Sequence, residues 1–195
     1  MDVTTPVYRA PMRARAHGAP AGAGAEHGVA NGLVGIGEAL PATPPTLDEA
    51  VTATGACFGA KAGRMLRRFA ELPDGTSVWT RLGDGTYRLG RIAGPWRYDD
   101  SAAARAVGVH HVRPAEWLER PFGEHDVPAA VAATFARGGR NLQRMHDASA
   151  ERSTAELWAA RDAARRTSTS VVDRLQHPSA RVVALTAFSE RRRRS

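Results

Sequence analysis

The stretch SVWTRLGDGTYRLGRIAGPWRYDDSAAARAVGVHHVRPAEWL, Ser77 to Leu118, constrains the fold of this chain more than any other. Two runs rich in β-formers, SVWTRL and TYRLGRIAG, meet at a Gly-Asp-Gly turn, the chemistry of a tight hairpin. A lone hairpin is marginal in water, so this one requires further strands and a core to pack on. Along the second strand Tyr87, Leu89 and Arg91 share one face and Arg88, Gly90 and Ile92 the other. Gly94-Pro95 turns the chain. Trp96 and Tyr98 then fall on one side of an extended backbone, and VHHVRPAEWL makes another strand with His111, Arg113, Ala115 and Trp117 projecting together. Three of the four tryptophans and two of the three tyrosines lie here, although aromatics are only 6% of the chain. A packed β-core accounts for Trp79 and Trp117. Trp96 and Tyr98 follow a turn instead, which makes them candidates to line a site.

The flanking segments supply the remaining elements. Val3 to Ala16 reads as a first strand, which Pro6 and Pro11 push toward a sheet edge. The Gly/Ala stretch His17 to Asn31 reads as a loop: its glycines suit either a phosphate cradle or a plain surface loop, and their spacing fits no nucleotide-binding fingerprint. In LVGIGEAL, Leu33 to Leu40, the glycines permit a bulge or a close backbone approach. Thr46 and Glu49 have the spacing of a capping box opening a short helix from Leu47. Ala60 to Leu72 is an amphipathic helix with Met65, Leu66, Phe69 and Leu72 on one face and arginines elsewhere. Val127 to Arg137 makes a helix stopped by Gly138-Gly139, and Asn141 to Met145 a final strand. The expected organisation is a β-barrel domain over residues 1–147 and a helical, Arg-rich tail over 148–195. In that tail Ser153-Thr154-Ala155-Glu156 forms a capping box and His177-Pro178 a break. ARVVALTAF fits helix or strand.

The formal charge of +7 suggests a nucleic-acid partner until it is divided along the chain. Up to Asp147 there are 17 basic and 15 acidic residues, and beyond it 10 and 5, so most of the excess sits in the tail. Lys61 is the only lysine among 27 basic residues. The arginine bias fits bidentate phosphate contacts, and equally a GC-rich coding sequence. A lone Cys57 excludes an internal disulfide and a cysteine zinc site, and reads as an inert buried thiol in a reducing compartment. The N-terminus lacks an apolar signal run and no apolar stretch reaches eighteen residues, so a cytoplasmic protein without a membrane span is expected.

No constellation points to an enzyme. A restriction-type nuclease core needs an acid two residues before its lysine, and Gly59 stands there before Lys61. Adjacent His110 and His111 on a strand point to opposite faces and cannot share a metal. No Gly-x-Ser-x-Gly elbow occurs, and turn chemistry accounts for Asp84, Asp99 and Asp100. What remains is the aromatic set interleaved with Arg81, Arg88, Arg91, Arg97 and Arg113. Aromatic faces stack on unpaired bases while arginines neutralise phosphate.

In order, GLVGIGEAL, a helix, ELPDGTSVWTR, YRLGRIAGPWRYD, HHVRPAEWL and GGRNLQRM resemble a PUA-like β-barrel of the EVE type, as found at the N-terminus of Mrr-like type IV restriction proteins. The resemblance spans Val3 to Asp147. It rests on Gly35-Ile36-Gly37, on Gly90-Arg91-Ile92-Ala93-Gly94 followed by Trp96 and Tyr98, and on His111, Arg113, Trp117 and Leu118. It departs at Glu38, where the family often has tryptophan, and at Asp74-Gly75, where the usual turn is Gly-Asp. It also offers no counterpart to the restriction nuclease.

The resemblance implies an α+β fold, a twisted and mostly antiparallel barrel with flanking helices, and a pocket for a modified or flipped base. On this reading the protein is a non-enzymatic nucleic-acid reader of a restriction or antiviral defence system, without cofactor, binding DNA or RNA and engaging an effector protein through its C-terminal helix. Trp96 and Tyr98 would stack on the base, Arg91 and Arg97 would meet phosphate or base edges, and Gly37 with Glu38 or His111 would complete the pocket. The competing expectation is a regulatory subunit whose tail docks a partner while its barrel binds a small ligand or nothing.

Overall fold

A computed structural model describes residues 5–13, 19–37, 39–139 and 141–176, with side chains as far as Ala163. The expected α+β class is observed. In chain order the elements are β1 (Val7–Arg9), α1 (Ala23–Ala30), β2 (Leu33–Ile36), α2 (Leu47–Phe58), α3 (Ala60–Ala70), β3 (Ser77–Arg81), β4 (Tyr87–Ile92), β5 (Arg97–Tyr98), α4 (Ala102–Val107), β6 (His111–Trp117), α5 (Ala129–Ala136), β7 (Gln143–Met145) and α6 (Ala148–Gln176). The strands run β2-β6-β4-β3-β1-β7, with β5 also on β6. β1 and β3 pair in parallel and all other pairs are antiparallel, so the sheet is mixed. It curls into a half-barrel whose hydrogen-bonded path ends at β2 and β7.

The curl centres on β6. Its C-terminal half pairs with β4, from Ile92 opposite Ala115 to Gly90 opposite Trp117, and its first residues pair with β5. β2 covers its other side from Leu33 opposite Pro114 to Ile36 opposite His111. Gly90 admits the bend because the Trp117 ring lies where its Cβ would stand, 2.6 Å away. Trp117 is fixed by an indole N–H donated to the Leu33 carbonyl at 3.2 Å.

Both sheet faces are covered. One packs Val78, Ile92, Val34 and Ile36 against Leu66 and Phe69 of α3. On the other, Trp79 meets Phe122 edge-to-face at 5.3 Å and Tyr87 meets Phe135 at 5.4 Å. Each large apolar side chain buried this way contributes on the order of 1.5–3 kcal/mol. Trp79 is fully buried and donates its indole N–H to Thr154 Oγ1 at 3.1 Å.

Four expectations need correction. The Gly/Ala stretch is not all loop, because it contains α1. Its glycines serve packing: a Cβ at Gly24 would stand 1.9 Å from the Met12 carbonyl oxygen and one at Gly28 2.6 Å from Met12 Sδ. β1 is not an edge strand, since Pro6 and Pro11 lie just outside its three paired residues and leave every donor in place for β3 and β7. The C-terminal helix begins at Ala148, capped by Asp147, whose Oδ1 accepts from the Ala150 N–H at 2.7 Å. The Ser153–Glu156 capping box therefore lies inside that helix, and Thr154 bonds Trp79 instead. Finally, Cys57 is exposed on α2 rather than buried.

The N-cap half of the expected capping box at Thr46 is present: its hydroxyl accepts the Glu49 N–H at 3.2 Å, and the Glu49 carboxylate accepts from that hydroxyl at 3.2 Å. Contacts divide the chain into two units after Ala155, eight residues beyond the expected boundary at Asp147. His177-Pro178, ARVVALTAF and the terminal arginines lie outside the described residues.

Candidate functional site: a histidine-floored cavity

His111 is the residue at which β2, β5 and β6 meet. Ile36 faces it across one strand pair and Tyr98 across the other. Because directly opposed residues share a sheet face, these three side chains lie together. β2 then runs into Gly37 at φ 78°, a left-handed conformation that suits glycine. A Cβ there would stand 2.7 Å from His111 Cδ2, so the backbone can pass this close to the ring only without a side chain.

Aromatic rings brace the imidazole. Trp96 lies nearly parallel to it at 6.0 Å between centroids and Tyr98 meets it edge-on at 5.3 Å. Tyr98 also stacks on His110 at 5.5 Å, so one ring touches both histidines. Its hydroxyl accepts the Leu40 N–H at 2.7 Å, tying the chain after β2 to β5. Burial raises the Tyr98 pKa, which keeps the phenol protonated. From α2, Thr54 Oγ1 approaches His111 Nε2 at 3.4 Å. Nδ1 is buried without a hydrogen-bond partner among the described residues.

The electrostatics of this ring follow from its depth. His111 is 1% exposed, and burial, reinforced by the neighbouring His110, lowers its pKa to about 4. At neutral pH the imidazole is therefore uncharged, with one ring nitrogen a donor and the other an acceptor.

Beside it lies a cavity of about 160 Å³ between the sheet and the α2–α3 pair. Ile36, Met65 and Leu66 provide apolar wall; Thr54, Asn141 and His111 provide polar atoms; Phe58 and Lys61 also line it. Phe58 is 41% exposed, an unusual position for a large apolar ring. Gly37 lines the cavity as well. A cavity near 150 Å³ takes one benzene-sized ring, so this one suits a single flat heterocycle.

The anticipated site residues separate. Gly37, Trp96, Tyr98 and His111 come together. Trp96 and Tyr98 lie against the histidines and do not line the cavity. Arg91 stands opposite Glu116 and Arg97 opposite Val112, which places both on the face away from His111. Arg97 also pairs with Asp99 at 3.2 Å. Glu38 lies outside the described residues. Arg113 is structural: only 3% exposed, it donates to the carbonyls of Gly94, Phe69 and Leu72 and pairs with Asp74 at 2.7 Å.

Sequence reasoning missed Thr54, Phe58, Lys61, Met65 and Asn141. Only Lys61, as the lone lysine, stands out in the primary structure. No family model, curated protein or solved structure matches the chain. Among the described residues no helix is long and apolar enough to cross a membrane.

Proposed function

We propose that the protein is a non-enzymatic nucleic-acid reader of PUA-like, EVE-type fold that holds one unstacked base in the His111 cavity. The observation that carries this reading is a cavity of about 160 Å³ lined by the buried imidazole of His111 together with Thr54 and Asn141. A base needs apolar contact on its faces and hydrogen bonds at its edge. Met65, Leu66 and Phe58 supply the first, and Thr54, His111 and Asn141 the second. Lys61 adds a positive charge beside the cavity, suited to the phosphate that accompanies the base. Trp96 and Tyr98 act as the brace that fixes the imidazole. Restriction or antiviral defence is the setting that the sequence resemblance implies for such a reader.

Fluorescence anisotropy with single-stranded DNA and RNA, each carrying a central base or an abasic site, tests the reading. Wild-type protein is expected to prefer the base-containing strand by about tenfold or more, since base contacts are each worth roughly 1–3 kcal/mol. His111→Phe, which keeps a ring but removes its polar edge, is expected to erase the preference while leaving phosphate-driven, salt-sensitive binding. Equal affinity of wild-type protein for intact and abasic strands overturns the proposal.

A further inference from the structure

A second cavity, of about 280 Å³, opens near the N-terminus of α1 and is lined by Arg9, Arg13 and Arg81 together with Gly22, Gly83 and Phe135. Each arginine is held differently. Arg9 is only 2% exposed; its Nη1 donates to the Gly138 carbonyl at 3.1 Å and its guanidinium lies 4.9 Å from the Phe135 ring centre. Arg81 donates through Nε to the Gly85 carbonyl at 3.2 Å and stands 5.4 Å from the Tyr87 ring centre. Arg13 is fixed through its backbone: its N–H is accepted by Asn141 Oδ1 at 2.9 Å and its carbonyl accepts from Asn141 Nδ2 at 3.1 Å.

Arg9 and Arg13 stand close enough for their charges to repel: the Arg9 pKa is lowered first by burial and then by the charge of Arg13. Among the described residues two carboxylates lie nearby, and neither lines the cavity. Glu124 sits 3.9 Å from Arg81, and Glu26 accepts the Gly83 N–H at 3.1 Å. The backbone adds to the same field, because α1 starts at Gly22 without a side-chain cap. A buried arginine and two more from a separate strand and loop, with the uncapped start of α1 at Gly22 in the same lining, have the chemistry of an anion site.

We infer that Arg9, Arg13 and Arg81 form a phosphate-binding pocket distinct from the His111 cavity. It takes a phosphate group carried on a nucleic-acid strand or on a small phosphorylated compound. Asn141 joins the two sites physically, lining the His111 cavity while clamping Arg13, but the inference does not rest on the base-reading proposal.

Titration of the full chain with inorganic phosphate, followed by calorimetry and by the amide resonances of Gly83 and Gly85, tests it. Binding is expected to weaken about tenfold in Arg13→Gln and in Arg81→Gln. Arg64→Gln, on the separate helix α3, is expected to leave it unchanged. Arg13 is solvent-exposed, so its variant keeps the fold even if Arg81→Gln does not. Competition with a short oligothymidylate separates the sources: displacement of phosphate assigns the pocket to a strand, and failure to displace assigns it to a small phosphorylated compound. Absence of phosphate-induced shifts at Gly83 and Gly85, or equal weakening in Arg64→Gln, overturns the inference.

Discussion

Arg113→Met is expected to destabilise the folded unit by about 3–5 kcal/mol, a large share of the roughly 5–15 kcal/mol by which a domain is stable. The guanidinium is 3% exposed and donates to three carbonyls, Gly94, Phe69 and Leu72, besides pairing with Asp74. Methionine fills similar volume but donates nothing, so three acceptors lose a charged donor at once, at roughly 1–3 kcal/mol for each one left buried and unpaired. The carboxylate itself costs little, because the Asp74 side chain is 62% exposed and rehydrates. Arg113 joins β6 to the C-terminal end of α3, whose residues form one wall of the His111 cavity. Urea unfolding monitored by tryptophan fluorescence measures the loss. A change below about 1 kcal/mol, the level of an ordinary surface substitution, contradicts the strut assigned to Arg113.

The second large effect is acid destabilisation through His111. Its pKa is about 4 in the folded chain and near 6.5 in the unfolded one. Above pH 6.5 the ring is neutral in both states and the stability is full. As pH falls below 6.5 the unfolded chain takes up the proton and the folded chain does not, so stability drops by about 1.4 kcal/mol per pH unit until pH reaches about 4. The loss across that window is roughly 3 kcal/mol. Asp84, Asp99 and Asp100 have lowered pKa values and act in the same direction, but only below their ordinary value of 3.8, so they do not produce this slope. His111→Asn and His111→Phe carry no titrating ring and are expected to flatten it. Unfolding free energies measured across the window check both statements. A slope that persists in the variants would assign it to another group.

Which parts were legible in the sequence follows from the range of the interactions involved. The β3–β4 hairpin was readable because its turn and flanking strands are adjacent in the chain. The Thr46 cap was readable for the same reason. Gly37 was recognisable as a place of close approach, although its neighbour was not, since His111 lies far along the chain. α1 was hidden because Gly24 and Gly28 look like loop residues until Met12 is placed against them. The alternation of β4 and of β6 was correctly anticipated strand by strand. Only the register, with Gly90 opposite Trp117, shows that Arg91 and His111 occupy opposite faces. The wall contributed by α2 and α3 depends on how two helices pack on the sheet, and no local pattern encodes it. Asp147, by contrast, is a local N-cap signal, outweighed in the sequence by the Ser-Thr-Ala-Glu motif six residues later.

The central claim is that a base enters the cavity beside His111. Imidazole nitrogen resonances of the histidine-labelled full chain, followed while a single-stranded oligonucleotide is added, test it most directly. The His111 ring nitrogens are expected to shift as a base-containing strand binds and to stay in place when an abasic strand of equal length binds. Binding of the intact strand with the His111 nitrogens unmoved would contradict it.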